Sequence, residues 1–299
     1  MADHELVAQE LLDVAEHLAD VAAASRIIVF HDCLPENPTL SKRMIIVARD
    51  EQQHERALRL AGESGAVVLD VPDVNLDRTG QVNLASVLSL SSKLIGQGEV
   101  AIVLVGPRGK PQDTLHVITV GERLDIFDFA DEDTDADESV PKAGPKHVHR
   151  AVFQQVLSIA LDLANEGREG RSIGAFFVLG DSDRVSDHVE QLVMNPFRGY
   201  PSEARNILDD ELVETVKEFS AIDGAFVIRG DGTVESAGTL VRASLVEADL
   251  PKGLGARHAA AAGITRVTNA LAITVSQSDG TVRVWRKGKI ATVFERASA

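Results

Sequence analysis

Two short runs in the second half of this 299-residue chain combine residue types that phosphate chemistry requires. Asp223-Gly224-Ala225 places a carboxylate ahead of two residues of minimal bulk, and Gly255-Ala256-Arg257-His258 places a guanidinium and an imidazole behind a glycine. A carboxylate can hold a divalent metal and accept a proton from an attacking hydroxyl, and a guanidinium can grip a phosphate through two donors at once. Arg257 and His258 follow Gly253 and Gly255 at what reads as a helix start, where unpaired backbone N–H groups and the positive end of the helix dipole attract anions. Gly224 and Ala225 let the backbone approach a sugar or a base. Taken singly, Asp-Gly is also a common hairpin turn and Arg-His an ordinary solvated helix start, so the two runs gain meaning from their order and context. Together they suit nucleotidyl transfer, which needs phosphate charge balanced, a metal bridging phosphate oxygens and an oxygen nucleophile in line with the leaving group.

The elements that must carry these residues follow from apolar periodicity. Val152, Val156, Ile159 and Leu163 form one face of a helix that stops at Glu166-Gly167, and residues 174–179 read as a buried strand. A helix with Leu208, Leu212, Val216 and Phe219 inward delivers the chain to 221–228, where Asp223 enters a strand. A turn at 230–233, a returning strand at 234–237, Gly238-Thr239-Leu240, a helix start at 255–262 and a strand at 270–276 follow. A hairpin turn at Asp279-Gly280 then leads into a strand at 281–286.

Upstream, Val7, Leu11, Val14, Leu18 and Val21 alternate at spacings of four and three, which predicts a helix over 4–24 packed through that stripe. Strands at 27–30, 44–48 and 66–69, with a helix at 51–61, alternate as in a parallel α/β layer. Strands at 100–105 and 115–120 flank Gly106-Pro107-Arg108-Gly109-Lys110, whose glycines are too close for a phosphate loop and whose Pro111 replaces the required Ser or Thr. Residues 131–138 are almost wholly acidic and small, and Pro141, Gly144 and Pro145 follow, so 131–146 reads as a linker. His147 and His149 have no third close ligand and stay unassigned. The expected architecture is therefore α/β throughout. A three-layer domain with a mostly parallel sheet occupies 1–130, and a domain with a mixed central sheet flanked by helices occupies 147–299.

Composition narrows the partners. A net charge of -16 repels phosphate polymers, and aromatics at 4% offer no row of stacking platforms, so nucleic acid is an unlikely partner. No apolar run approaches the roughly 18 to 20 residues that a membrane span needs, and the first twenty residues lack the pattern of a secretory signal. A cytoplasmic location is expected, in keeping with a single cysteine, Cys33, which cannot form an internal disulfide. Arg outnumbers Lys 21 to 9 on an Asp-rich background, a composition expected of proteins kept soluble in high salt.

From about His147 onward the chain resembles the diadenylate cyclase domain, the family that includes the nucleotide-binding domain of the DNA-integrity scanning protein. The likeness rests on Glu166-Gly167-Arg168-Glu169-Gly170-Arg171 ahead of the strand with Gly174, on Asp223-Gly224-Ala225, on Gly238-Thr239-Leu240, on Leu254-Gly255-Ala256-Arg257-His258, and on Val275-Ser276. With an α/β domain in front that is similar to the C-terminal domain of pyruvate kinase, the layout resembles the archaeal cyclases of the DacZ type.

The resemblance implies that two ATP molecules condense to cyclic di-AMP with release of two pyrophosphates, aided by Mn or Mg. It makes Asp223 the metal ligand that assists the ribose 3′-hydroxyl, and it makes Arg257 and His258 the holders of the triphosphate. Adenine would rest near Leu240 with Gly238 and Thr239 leaving room, Gly224, Ala225 and Gly255 would contact ATP, and Ser276 would lie near the phosphates. Each domain would bind one ATP, so two subunits of a homo-oligomer must meet face to face, and the first domain would serve regulation or assembly. The chain departs from many relatives at Ala256 and Ala259, where phosphate-binding residues stand, at Gln277-Ser278, where an acidic pair stands, and at Ile222, a histidine metal ligand in some. Arg168, Arg171 or Arg266 are candidates to compensate. These departures also leave a non-catalytic sensor of ATP or cyclic di-AMP as the alternative reading.

Overall fold

The computed structural model describes residues 2–121, 148–167, 172–243 and 255–297. The expected linker, His147, Arg168, Arg171, Gly253 and Leu254 lie outside the described residues. Contacts divide the chain into two compact units. The first takes the described residues up to 121 together with 294–297, and the second those from 148 to 293.

In the first unit, helix α1 (Ala2–Val21), strands β1 (Arg26–Phe30) and β2 (Met44–Ala48), helix α2 (Glu51–Ser64), strand β3 (Val67–Asp70), helix α3 (Arg78–Ser91) and strands β4 (Val100–Val105) and β5 (Thr114–Thr119) follow in order. The sheet runs β3-β2-β1-β4-β5, parallel except for the antiparallel edge β4–β5. Its central strands are buried on both faces, which is why they read as unbroken apolar runs. Asp50 caps α2 by accepting the Gln53 N–H, and Gly65 at φ 74° ends it.

The stripe predicted on α1 borders its packing face without forming the centre of it: Leu11 and Leu18 are half-buried against the core. Ala8, Leu12, Ala15 and Ala19 are buried, the last three in the core with Ile27, Val29, Met44 and Ile46, while Val7, Val14 and Val21 are exposed. Ala8, Leu12, Ala15 and Ala19 repeat at the same four-and-three spacing, and the small size of the three alanines lets the helix lie close on the sheet; ranking residues by hydropathy hides that face. Helix α3 also escapes the periodicity reading. It is buried nearly all round, and Ser86 and Ser91 are accommodated by bonding carbonyls one turn back. The loop after β4 is no anion cradle: the Gly109 N–H donates to Asp32, and Arg108 pairs with Asp73. Cys33 is buried, and burial pushes its thiol up to about 12, so it is chemically inert.

In the second unit, helix α4 (Arg150–Glu166) precedes β6 (Phe176–Leu179), the short helix α5 (Ser182–Ser186) and β7 (Val189–Gln191). Helix α6 (Asp210–Phe219), strands β8 (Ala225–Ile228) and β9 (Val234–Val241), helix α7 (Ala256–Val267) and strands β10 (Leu271–Val275), β11 (Val282–Arg286) and β12 (Lys289–Phe294) complete it. The seven-stranded sheet, in order β12-β11-β10-β6-β8-β9-β7, is mixed: β6–β8 is parallel, and the other pairings recorded in register are antiparallel. Helix α7 packs Ala261, Ala262 and Ile264 onto the face carrying Phe176, Val178, Ala225, Val227, Ala272 and Trp285. Leu208, expected inside α6, precedes it and is exposed, because Asp209 caps the helix one residue later. Strand β12, which the sequence reading lacks, is turned back from β11 by Lys287-Gly288, both at positive φ, in place of the usual Asn-Gly.

Candidate functional site

Asp223 stands at the entry to β8, the central strand beside β6, and Arg257 in the first turn of α7. The fold brings them together across 34 residues of sequence: Arg257 Nη2 lies 3.0 Å from Asp223 Oδ1. They open onto a cleft of about 510 Å³ lined by Asp223, Gly255, Ala256, Arg257, His258, Val275, Ser276, Gln277, Ser278, Asp279 and Arg283. Five of the residues singled out from the sequence, Asp223, Gly255, Arg257, His258 and Ser276, thus share one cavity.

Each side chain has a positional reason. Gly255 is the N-cap of α7 in an extended conformation with no capping side chain, so no side-chain cap occupies the helix start that lines the cleft. Arg257 is one-third exposed at the side chain, yet its Nε is buried with no protein partner. Gly174, just ahead of β6, makes space for this guanidinium: a Cβ there would stand 2.7 Å from Nη1. Asp223, by contrast, is 85% exposed, so the pair contributes little to stability and its carboxylate is free to exchange partners.

His258 is buried beside Trp285, with ring centroids 6.0 Å apart. Burial, with Arg283 and then Arg257 adding to it against the opposing pull of Asp279, lowers its pKa to about 4. The imidazole is therefore neutral at physiological pH, a polar hydrogen-bonding group and not a third cation. Ser276, at the end of β10, approaches Ser278 Oγ at 3.1 Å. Burial alone would raise the Asp279 carboxyl, but hydrogen bonds from Ser276 and Thr281 and the charge of Arg283 outweigh it and hold Asp279 below the ordinary carboxylate value.

Gly224, Ala225, Gly238, Thr239 and Leu240 lie on the β8–β9 pair, outside the cleft lining. Gly224 has φ 114°, and a Cβ on it would meet the Gly238–Thr239 backbone at 2.6 Å; Gly238 has φ 62° and faces Val193. Gly224 is thus required by the close approach of the β9 backbone, and Gly238, at the β-bulge, by its positive φ and by Val193. Thr239 is buried against Ser236, and Leu240 is exposed opposite Glu190 on β7.

The sequence reading misses Arg283 and assigns Asp279 only to a turn. Its available signal for Arg283 was the alternation Val282-Arg283-Val284-Trp285, which puts an arginine on the same face as the buried tryptophan. Arg266, a candidate to compensate for Ala259, sits in the last turn of α7 against Gly288, roughly 13 Å along the helix from Arg257 at 1.5 Å per residue.

A model of the family described as DisA bacterial checkpoint controller nucleotide-binding matches residues 162–290, a stretch that contains every residue of the cleft. A diadenylate cyclase of Methanocaldococcus jannaschii is 34% identical over 253 residues, covering 84% of this chain and 77% of that protein. The chain belongs to the diadenylate cyclase family. A second member, the diadenylate cyclase of Haloferax volcanii, is 35% identical over 206 residues, or 68% of this chain and 70% of that one. Among solved structures, a double mutant of DacA from Staphylococcus aureus is 25% identical over 49% of this chain and 87% of its own, with a TM-score of 0.34.

Family membership makes the chain an enzyme of the nucleotidyltransferase kind. Among the described residues, no helix is long and apolar enough to cross a membrane. Nor do three metal-ligating side chains cluster among them. An exposed aspartate beside a helix N-terminus nevertheless suits a hard cation such as Mg or Mn, which commonly takes one or two carboxylates and completes its shell with substrate phosphates and water.

Proposed function

We propose that this member of the family condenses two ATP molecules into cyclic di-AMP and two pyrophosphates, acting in the cytoplasm. The observation that carries the reading is the facing pair Asp223–Arg257, with its spare buried Nε donor, at the mouth of a cleft that ends on the α7 N-terminus. The triphosphate lies along that helix start, gripped by Arg257 and hydrogen-bonded by neutral His258 and Ser276. Asp223 releases Arg257 to the phosphates and accepts the proton of a ribose 3′-hydroxyl. A divalent cation, Mn or Mg, held by Asp223 and the phosphates would neutralise charge on the transferred group.

In each half-reaction the 3′-oxygen forms a bond to the α-phosphorus of the other ATP, the bond from that phosphorus to its bridging oxygen breaks, and pyrophosphate departs with the electron pair. One cleft presents one ATP, so two copies of the chain must face each other to bring the reacting atoms within about 3 to 3.5 Å. Adenine is placed toward Leu240, with Gly224, Ala225, Gly238 and Thr239 forming the adjoining backbone.

Incubation of the full chain with ATP and Mn, followed by chromatography, should yield cyclic di-AMP with two pyrophosphates for each one formed. Asp223→Asn, which removes charge with little change of shape, should lower the rate by about a hundredfold or more, the usual scale for losing a general base. Binding of ATP without any product at any protein concentration would replace the cyclase reading by that of a nucleotide sensor. Normal turnover by Asp223→Asn would remove the assigned base.

A further inference from the structure

The cleft holds two guanidinium groups in different circumstances. That of Arg257 extends from α7 and is engaged with the Asp223 carboxylate. That of Arg283 extends from β11, where Arg283 pairs across from Thr274, and its Nη1 approaches an imidazole, His258 Nε2, at 3.4 Å. Alternation along β11 puts Arg283 on the face of Trp285, which is the face that α7 covers, so its side chain runs toward the first turn of that helix. Two cations and the positive end of a helix dipole therefore line the cavity, around a histidine that carries no charge to offset or reinforce them. Asp279 is the other carboxylate in the lining, and it is already occupied with Ser276 and Thr281. A cavity with this distribution has an acid–base end, at Asp223 and Arg257, and a second end, at Arg283, His258 and Ser276, whose one carboxylate, Asp279, is engaged by Ser276, Thr281 and the charge of Arg283.

We propose that Arg283 is the seat of the departing pyrophosphate, the cation that receives the β- and γ-phosphates while Arg257 remains with the α-phosphate beside Asp223. The inference rests on the cyclase reading for the identity of the group that leaves, and on the cleft geometry for the seat itself. When the bond between the α-phosphorus and the bridging oxygen breaks, negative charge grows on that oxygen. A planar guanidinium can neutralise it through two donors.

The test uses the full-length chain and two probes, inorganic pyrophosphate and AMP, titrated by calorimetry with Mg present. Arg283→Gln should weaken pyrophosphate at least tenfold and leave AMP within twofold, and Arg283→Lys, which keeps the charge but loses the fork, should fall between. A melting curve for each variant controls for folding. Unchanged pyrophosphate affinity in Arg283→Gln overturns the proposal, as does failure of the wild-type chain to bind pyrophosphate.

The two readings fail separately. A wild-type chain that makes no cyclic di-AMP but loses pyrophosphate binding on Arg283→Gln keeps the seat and loses the cyclase. A chain that makes cyclic di-AMP and is indifferent to Arg283→Gln, in both pyrophosphate affinity and kcat, keeps the cyclase and loses the seat.

Discussion

Each unit of the molecule contains an arginine–aspartate pair of nearly equal length in opposite surroundings. In the first unit Arg49 and Asp32 meet at 3.1 Å with side chains only 2% and 10% exposed; Asp32 also accepts the Gly109 N–H, and Arg49 lies 4.7 Å over the Phe30 ring. In the second, Arg257 and Asp223 meet at 3.0 Å with side chains 31% and 85% exposed, and Arg257 keeps a buried donor unspent. A buried pair whose carboxylate takes a further bond from a neighbouring loop holds the fold together, and removing one partner strands the other charge. An open pair with donors to spare can exchange its partner for a ligand at small cost. The residue types are identical; solvent access and leftover hydrogen-bonding capacity separate scaffold from site.

The largest expected consequence is on stability. Arg49→Ala should cost the first unit about 3 to 5 kcal/mol by leaving Asp32 buried and unpaired, whereas Arg257→Ala should cost less than about 1 kcal/mol. Urea unfolding followed for both variants checks this, and equal losses would erase the comparison.

Acid provides the next contrast. His258 has a folded pKa of about 4 against an ordinary 6.5, so between those values the unfolded chain binds the proton that the folded one refuses. Taken alone, this group should leave stability unaffected above pH 6.5 and lower it by about 3 kcal/mol as pH falls toward 4; His31 in the first unit, whose pKa burial also lowers, adds a decline of the same sign. His258→Gln should remove the His258 part of the decline; an unchanged pH profile of unfolding would show that the imidazole is already charged in the folded state.

On binding, Arg257→Ala should weaken ATP by about 1.5 to 3 kcal/mol in calorimetry, the range for a hydrogen bond to a charged group, and Arg49→Ala should leave the affinity alone. Unchanged affinity in Arg257→Ala would remove that residue from the site. The smallest effect is expected at Gly174→Ala, where the new Cβ presses hardest on the far end of a flexible side chain and next on Gln277 Cβ at 3.2 Å. It should displace the Arg257 guanidinium and cost about 0.5 to 1.5 kcal/mol of ATP binding, the scale of an off-rotamer side chain, with the melting temperature nearly unchanged. A fold that melts earlier with ATP affinity intact would show that the glycine serves packing and not the arginine.

Much of the second unit is legible in the sequence because its signals are local. Asp-Gly turns, glycine ends and apolar periodicity located α4, β6, β8, α7 and β10 to within a few residues, and the candidate residues Asp223, Arg257, His258 and Ser276 indeed share a cleft. Where signals compete, the reading goes astray. On α1 two stripes share one period, and the smaller residues face the sheet because close approach outweighs side-chain hydropathy. Strand β12 follows a Lys-Gly turn that carries no strong local mark. Among the arginines weighed against Ala259, Arg266 points away, and Arg283 in the cleft wall has a place that only strand pairing reveals.

The order of the motifs, the α/β character of both halves and membership of the family were set by the sequence alone, since each depends on residues close together in the chain. That Asp223 faces Arg257, that His258 is neutral and that Arg283 completes the cationic wall were decided by the tertiary structure. Pairing, burial and proton affinity depend on which groups share a space, and the sheet order β11-β10-β6-β8 beneath α7 gathers residues from four separate stretches of chain.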